Sequence, residues 1–249
     1  MTLRIATFNI AQNRKNWQRR RELIVEQLAG LNPDILALNE IHIPEQTGRW
    51  LQRAARDRLN KNYCLLQQSK AGDESRQQAE GLLSRYPPRE TVNLDYASHN
   101  CVALAARFEI GARQLDVYVT HLIAARVDDS ARQYQVEQLL KWVGTRADAD
   151  CCIVCGDFNA APDQPSTQLM AGSFQASQFA PTAFTPLRDE QGQPTHPEWP
   201  RMDRCIDYVW FKGNVSLTAS GVCFATPAPE DPDVWPSDHV GVWADLEIF

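Results

Sequence analysis

The chain has 249 residues, of which 43% are hydrophobic and 22% charged, a composition typical of a globular protein with a sizeable core. Its formal net charge is −6, and the absence of any run of 18 apolar residues argues against a membrane span. The seven cysteines lack zinc-finger or disulfide-framework spacing, which favours reduced thiols and a cytoplasmic protein.

Apolar periodicity predicts many strands and three helices. Alternation over residues 3–10 predicts the first strand, and an apolar face over 16–31, closed by Asn32-Pro33, predicts a basic helix. A short strand at 35–39 and a second basic helix at 48–59 follow. The remaining predictions are a helix at 130–146 and strands at 63–67, 81–84, 101–108, 115–120, 151–155, 206–211, 215–222 and 240–248.

This element order predicts an α/β fold in which two packed sheets lie between outer helices. Because no linker, repeat or low-complexity tract interrupts the chain, residues 1–249 are predicted to form a single domain. Residues 180–204 are rich in Pro, Thr and Gly and predict a long loop. Long loops in compact domains often carry function.

Polar side chains recur at the ends of the predicted strands. Asn9 and Glu40 end the first two strands, and His121 follows the strand at 115–120. Because these residues lie at strand ends rather than on solvated helices, we expect them to share one cleft. Taken singly, each is as typical of a turn as of a catalytic site. The same placement is found for Asp157, Asn159, Asp207, Asp238 and His239.

Six short motifs in a fixed order make the pattern more specific. They are Thr7-Phe8-Asn9-Ile10, Asn39-Glu40, Thr120-His121-Leu122, Gly156-Asp157-Phe158-Asn159, Ile206-Asp207-Tyr208-Val209 and Ser237-Asp238-His239. Together they resemble the successive signatures of the endonuclease/exonuclease/phosphatase family, which includes deoxyribonuclease I. The resemblance implies a four-layered, DNase I-like α/β sandwich of two packed mixed sheets flanked by helices. One departure is Asn39, where the family usually has Gln.

The resemblance also implies metal-assisted hydrolysis of a phosphoester. Hard divalent cations prefer oxygen ligands, and Mg²⁺, with Mn²⁺ as an alternative, would be held by Glu40 and Asn9. Asp238 would reach the metal through a water. Asp157 and Asn159 would orient and deprotonate the attacking water.

Two histidines are implied to face the negative charge of the transition state. His239 would be held by Asp207, and His121 by Glu80, since an imidazolium near a phosphate needs a carboxylate behind it. The other histidines are predicted to be loop residues at the surface: His42, His99 and His196.

Substrate-binding candidates come from charge and aromaticity. Residues 1–62 contain eleven Lys and Arg against six Asp and Glu, which is typical either of a positive face for an anionic substrate or of solvated helix surfaces. Arg14 and Lys15 lie close behind the first strand end, so we expect them to bind the substrate. Trp235 is a candidate for stacking on the substrate and, equally, for anchoring its own loop.

The substrate itself stays open at this level. The candidates are a nucleic acid or a small soluble phosphodiester and, as an alternative, a phosphorylated head group of the sphingomyelin or inositol phosphate kind. The acidic composition disfavours tight non-specific duplex binding. A hypothesis from another class is a catalytically inactive phosphate-binding module, although no core catalytic position is lost. No obligate protein partner is predicted.

Overall fold

Two six-stranded sheets form the centre of the computed structural model, which describes residues 1–13, 15–124, 128–199 and 201–249. The strands are β1 (Thr2–Asn9), β2 (Ile35–His42), β3 (Cys64–Ser69), β4 (Gln78–Ser84), β5 (Glu90–Asp95), β6 (Val102–Ile110), β7 (Arg113–His121), β8 (Cys151–Asp157), β9 (Gln175–Ala176), β10 (Asp207–Gly213), β11 (Val215–Cys223) and β12 (Gly241–Ile248). The sheet orders are β11-β12-β1-β2-β4-β3 and β5-β6-β7-β8-β10-β9. Both sheets are mixed, because β1 pairs with β2 and β7 with β8 in parallel and the other pairs are antiparallel.

Helices cover the outer face of each sheet. The first sheet is covered by α1 (Trp17–Leu31) and α2 (Thr47–Leu59), and the second by α3 (Asp129–Gly144) and α4 (Pro165–Ala171). A 3₁₀ turn over Gly72–Arg76 follows β3. The order helix, sheet, sheet, helix confirms the predicted four-layered α/β sandwich. None of the helices in the described ranges is long and apolar enough to cross a bilayer.

The central strands are buried on both faces because each sheet is covered on both sides. Along β1, Leu3 and Ile5 pack against the other sheet, whereas Ala6 and Phe8 pack against the helices. Two-sided burial explains why such strands are almost continuously apolar in sequence. The three cysteines of β8 are buried free thiols, as predicted.

Strand pairing places the polar strand ends at a common edge. Asn9 of β1 is in register with Asn39 of β2, and His121 of β7 is in register with Asp157 of β8. Asp207, which opens the antiparallel strand β10, pairs with Asp157 from the other side. Side chains that are far apart in sequence therefore become neighbours through backbone pairing alone.

A β-bulge at Asn39 and Glu40 corrects the prediction that the second strand ends at Glu40. Strand β2 continues to His42, and the register with β4 shifts so that Asn39 and Glu40 both stand opposite Glu80. Glu40 has a φ of 59°, a left-handed conformation uncommon for a residue other than glycine. Such bulges redirect a side chain, and Glu40 is only half-buried between fully buried neighbours.

The buried amide of Asn39 links the two sheets. Its Nδ2 donates to Glu80 Oε2 at 2.6 Å in its own sheet and to the Thr120 carbonyl at 3.0 Å in the other sheet. Its Oδ1 accepts a bond of 3.0 Å from the backbone N–H of Asp157. Because Asn39 is fully buried, these three bonds replace water and fix the spacing of the sheet edges.

Some elements and one cation differ from the predictions. β5, β9 and α4 have no counterpart among the predicted elements. Arg20 is one of the basic residues of 1–62, which were expected either on solvated helix surfaces or on a positive face for the substrate. It is instead fully buried. Among the described residues, its guanidinium donates to backbone carbonyls, including those of Ile10 and Pro236. Burial lowers the pKa of Arg20 to about 10. Arg20 thereby ties the β1–α1 connection to the segment before Ser237.

Asn39→Ala is expected to lower the free energy of unfolding by about 3 kcal/mol or more. The substitution leaves the Asp157 N–H and one Glu80 oxygen buried without a partner, and each such loss costs about 1–3 kcal/mol. Urea unfolding followed by circular dichroism measures the change. The matched control is Asn93→Ala on the exposed face of β5, which should stay within about 0.5 kcal/mol of the wild type. Equal stability of the two variants would contradict the role given to Asn39.

Candidate active site

His239 and Asp207 form a buried hydrogen-bonded pair at the edge shared by the sheets. His239 Nδ1 lies 2.9 Å from Asp207 Oδ2. Burial lowers the pKa of His239, but the neighbouring Asp207 and Asp157 carboxylates outweigh this effect and raise it to about 10. The ring is therefore an imidazolium at neutral pH, and its Nε2 lies 3.8 Å from Asp157 Oδ2.

Asp157 lies between two histidines. Its Oδ2 is 3.6 Å from His121 Nε2, 3.8 Å from His239 Nε2, and accepts a hydrogen bond of 3.2 Å from Asn9 Nδ2. Burial and the nearby Asp207 charge raise the pKa of Asp157 to about 6, although the histidines act in the opposite direction. A carboxylate with this pKa can accept a proton near neutral pH.

Asn9 and Glu40 bring an amide and a carboxylate to the same place. Asn9 Nδ2 donates to Glu40 Oε1 at 3.1 Å, and the backbone N–H of Gln12 donates to Glu40 Oε2 at 3.0 Å. The backbone N–H of Ala11 donates to Asn9 Oδ1 at 3.0 Å. Asn9 is fully buried and Glu40 half-buried, so the Glu40 carboxylate is the member of the pair that a solute can reach.

A second buried carboxylate, Glu80, lies behind His121. Its Oε1 is 3.6 Å from both His121 Nδ1 and Lys70 Nζ. Burial alone would raise the pKa of Glu80, but Lys70 and His121 lower it by a larger amount. The net pKa lies below the ordinary value, so the group stays ionised at neutral pH. On the far side of the ring, Asn159 Nδ2 lies 3.1 Å from His121 Nε2 and donates to the Leu122 carbonyl at 3.1 Å. The Leu122 bond orients the amide, so a neutral His121 ring carries its proton on Nδ1, toward Glu80.

The loop at 180–204 reaches the same cluster through His196, which corrects its prediction as a surface residue. His196 Nε2 lies 2.9 Å from Asp238 Oδ2, and its ring stacks on Phe184 with centroids 4.0 Å apart. Burial raises the pKa of Asp238, but His196 and His239 more than offset this and hold it well below its usual range. The Thr185 N–H donates to the Asp238 carbonyl at 2.8 Å, which fixes the loop further.

These groups line or lie directly behind one cleft of about 380 Å³. Asn9, Glu80 and Asp207 lie behind it, each within 3.6 Å of a residue that lines it. Lys70 is the only Lys or Arg among the described lining residues. The lining combines predicted residues with others that the sequence did not indicate: Glu40, His121, Asp157, Asn159, Asp238 and His239 with Gln12, Lys70, Gln78, Phe184, His196 and Trp199.

Of the three predicted substrate-binding residues, the two that the structure describes, Lys15 and Trp235, do not line this cleft. Lys15 Nζ lies 3.9 Å from Asp189 Oδ2 at the surface. Trp235 Nε1 donates to the Pro232 carbonyl at 3.0 Å, and its ring lines a neighbouring apolar cavity. Arg14 lies outside the described residues. The substrate-binding roles of these residues stay predictions.

The donor atoms of the cleft fit a hard divalent cation. Glu40 and Asn9 offer carboxylate and amide oxygens, the ligand type that Mg²⁺ and Mn²⁺ prefer. Within the described ranges, possible ligand atoms of Asp157, Asp207 and His239 also lie within 4.8 Å of one another. Asp207 and His239 already bond to each other, so the half-buried Glu40 carboxylate is the group best placed to take up an ion.

Lys70 and His196 are two ionisable members of the cleft that sequence reasoning missed. Lys70 lies in the polar stretch after β3, where neither periodicity nor a motif marks it. For His196 the one available signal was its place in a long loop, a segment class that often carries function. Both reach the cleft through tertiary contacts that no local pattern encodes.

Comparison with known proteins identifies the family. The model of the "Endonuclease/Exonuclease/phosphatase family" matches residues 6–239, nearly the whole chain. The chain belongs to this family. Members of the endonuclease/exonuclease/phosphatase family are hydrolases that act on phosphoesters, and they generally use a divalent metal. The family predicted from the six motifs is confirmed.

The proteins that this chain resembles carry names that describe different activities. Nocturnin of Rattus norvegicus is 27% identical over 257 residues, which cover 93% of this chain and 59% of Nocturnin. This chain therefore spans 59% of the length of that relative. Two solved structures share the fold at low identity. D. rerio TDP2 complexed with a single-strand DNA product has a TM-score of 0.77, 16% identity and 99% coverage of both chains. A Bacteroides thetaiotaomicron mannosyl-6-phosphatase has a TM-score of 0.78 and 15% identity, with coverage of 99% of this chain and 100% of the other.

In the metal-free protein, Asp207→Asn is expected to lower the pKa of His239 from about 10 by about 1–3 pH units, the usual effect of removing an adjacent opposite charge. NMR titration of the imidazole signals measures this change. Asn93→Ala, on the exposed face of β5, is the control and should leave the titration of His239 as it is.

The same pair predicts a pH dependence of stability. The pKa of His239 in the folded state lies above its ordinary value of 6.5. The stabilisation of the folded state by the Asp207–His239 pair is therefore complete below pH 6.5 and is lost as the pH rises through about 10. The stability advantage of the wild type over Asp207→Asn should shrink across this window. An unchanged His239 titration in the variant would show that Asp207 does not hold the imidazolium.

Proposed function

We propose that this chain is a magnesium-dependent phosphoesterase in which Asp157 activates a water for in-line attack on phosphorus. The observation that carries the proposal is the placement of Asp157. A carboxylate with a pKa of about 6 lies within 3.8 Å of two histidines, one of them an imidazolium, in a cleft with a half-buried Glu40. A base, a cation and an oxygen ligand thus converge on one small volume.

Glu40 would hold the metal, with Asn9 directly behind it, and Asp238 would support the ion through a water. Once bound, the ion would withdraw negative charge from the phosphate oxygens. Asp238 is already bonded to His196, which suits an indirect rather than a direct ligand. The cation is proposed to be Mg²⁺, with Mn²⁺ as an alternative.

Asp157 accepts the proton of the attacking water as the new oxygen–phosphorus bond forms. The backbone N–H of Asn159 donates to Asp157 Oδ1 at 2.8 Å, which leaves Asp157 Oδ2 facing the histidines. His239 supplies a fixed positive charge beside the phosphate, and Asp207 keeps that charge in place. The ionised fraction of Asp157 rises as the pH increases through about 6, so the base becomes active at neutral pH.

Glu80 holds His121 from behind, and the Nε2 edge of the His121 ring faces Asn159 and the proposed base Asp157. The shared Glu80 oxygen also keeps Lys70 at 3.6 Å, so a further positive charge borders the cleft. Lys70 is buried and lines the cleft, where its charge can attract an anionic group.

A small soluble phosphodiester or phosphomonoester fits this cleft better than a long polyanion. Long nucleic acids are held by rows of Lys and Arg along their backbone, whereas Lys70 is the one such residue among the described lining residues. The chemistry itself is nuclease-like, since the same displacement at phosphorus cleaves either class of ester.

Glu40→Gln is expected to weaken Mg²⁺ binding at least tenfold and to lower turnover sharply, because a neutral amide lacks the charge that holds a hard cation. Calorimetric titration with Mg²⁺ gives the binding change independently of activity, and the Mg²⁺ dependence of bis-p-nitrophenyl phosphate hydrolysis gives the second readout. Glu137→Gln on the exposed face of α3 is the matched control and should leave both unchanged. Wild-type Mg²⁺ affinity in Glu40→Gln would remove Glu40 from the ligand set.

Asp157→Asn and His239→Ala are each expected to lower kcat by about 10²–10⁴-fold, the usual contribution of a positioned base or of charge stabilisation. The double variant should be little worse than either single one, because residues that act as one unit are not additive. Steady-state kinetics of the four proteins measure this coupling. Losses that multiply fully would show that the two residues act independently.

A further inference from the structure

An apolar cavity of about 400 Å³ adjoins the catalytic cleft and shares part of its wall. We call it the aromatic slot. Phe184, His196 and Trp199 line both spaces and form the wall between them. The outer part of the slot is formed chiefly by Pro186, Pro194, Met202 and Trp235.

The shared wall is a set of nearly parallel rings. Phe184 stacks on His196 with centroids 4.0 Å apart and on Trp199 at 4.8 Å, with interplanar angles of 24° and 27°. The Arg204 guanidinium lies 4.9 Å from the centre of the Trp199 ring. The His196 and Trp199 rings are tilted by 46° to each other, and both pack on Phe184, so the wall needs little reordering on binding.

This wall is joined directly to the catalytic groups. His196 bonds to Asp238 at 2.9 Å, and the Phe184 ring meets the His239 ring edge-on with centroids 5.3 Å apart. The slot therefore lies directly beside the groups that would hold the phosphoester. Phe184, Trp199 and Trp235 are all partly exposed there, an arrangement that marks a ligand surface more often than a core.

We propose that the aromatic slot binds a planar aromatic ring, such as a nucleobase or an aryl group, carried by the substrate next to its scissile phosphoester. The inference rests on the proposed function, since it names the class of ester that the same site would take. Parallel aromatic faces and a stacked guanidinium recognise flat π systems, and each such stack contributes about 1–3 kcal/mol. An alkyl chain gains no such stacking energy.

The test compares adenosine 5′-monophosphate with ribose 5-phosphate, which share the esterified hydroxyl and differ only in the base. Dissociation constants are measured by calorimetry in the Asp157→Asn background with Mg²⁺, where turnover is suppressed. We expect adenosine 5′-monophosphate to bind about 5- to 150-fold more tightly, the range that corresponds to one stacked base.

Trp235→Ala and, separately, Met202→Ala should move the ratio of the two dissociation constants toward one. Tyr134→Ala, an exposed aromatic on α3 outside the slot, is the control and should leave the ratio as it is. Hexyl phosphate tests the alkyl alternative and should bind no better than ribose 5-phosphate.

Equal binding of the two ribose esters in the Asp157→Asn protein would overturn the slot proposal, as would hexyl phosphate binding as tightly as adenosine 5′-monophosphate. The proposal would also be overturned if the ratio of the two dissociation constants stayed unchanged in both Trp235→Ala and Met202→Ala. Failure of the proposed function is a separate result. It would appear as no Mg²⁺-dependent hydrolysis of any ester by the wild type, whatever the binding ratio.

Discussion

The amide of Asn39 is the constraint on which the rest of the site depends, because it joins the edges of both sheets by three hydrogen bonds. One of them fixes Glu80, which in turn stands behind His121. Another fixes the backbone of Asp157, which faces His239. A single neutral side chain thus sets the distance between two charged clusters.

Burial of so many charges is tolerated because most of these carboxylates have a partner of their own. Glu80 has Lys70, Asp207 has His239, and Asp238 has His196. Unpaired charges in such surroundings would cost several kcal/mol each. Asp157 is the exception: it is shared between histidines rather than paired, and its raised pKa is the result. The pairing therefore leaves one base near neutrality, while the half-buried Glu40 stays accessible to a cation.

The strand ends could be predicted because periodicity locates strands and pairing brings their ends together. The bulge that turns Glu40 could not, since it depends on the register with β4. Lys70 and His196 were missed because only tertiary contacts bring them to the cleft. Arg20 could have been found: it falls on the apolar stripe of α1, three residues after Trp17 and four before Ile24, both buried. A charged residue on such a stripe is evidence of a buried polar network.

The central claim is that one water attacks phosphorus directly, without an enzyme-bound intermediate. The most direct measurement is the stereochemical course of hydrolysis of a phosphorothioate ester that is chiral at phosphorus, carried out in H₂¹⁸O. A single in-line displacement predicts inversion of configuration and incorporation of the heavy oxygen into the phosphorus-containing product. Retention of configuration would reveal two successive displacements through a covalent intermediate, and would contradict the role of Asp157 as the base that activates water.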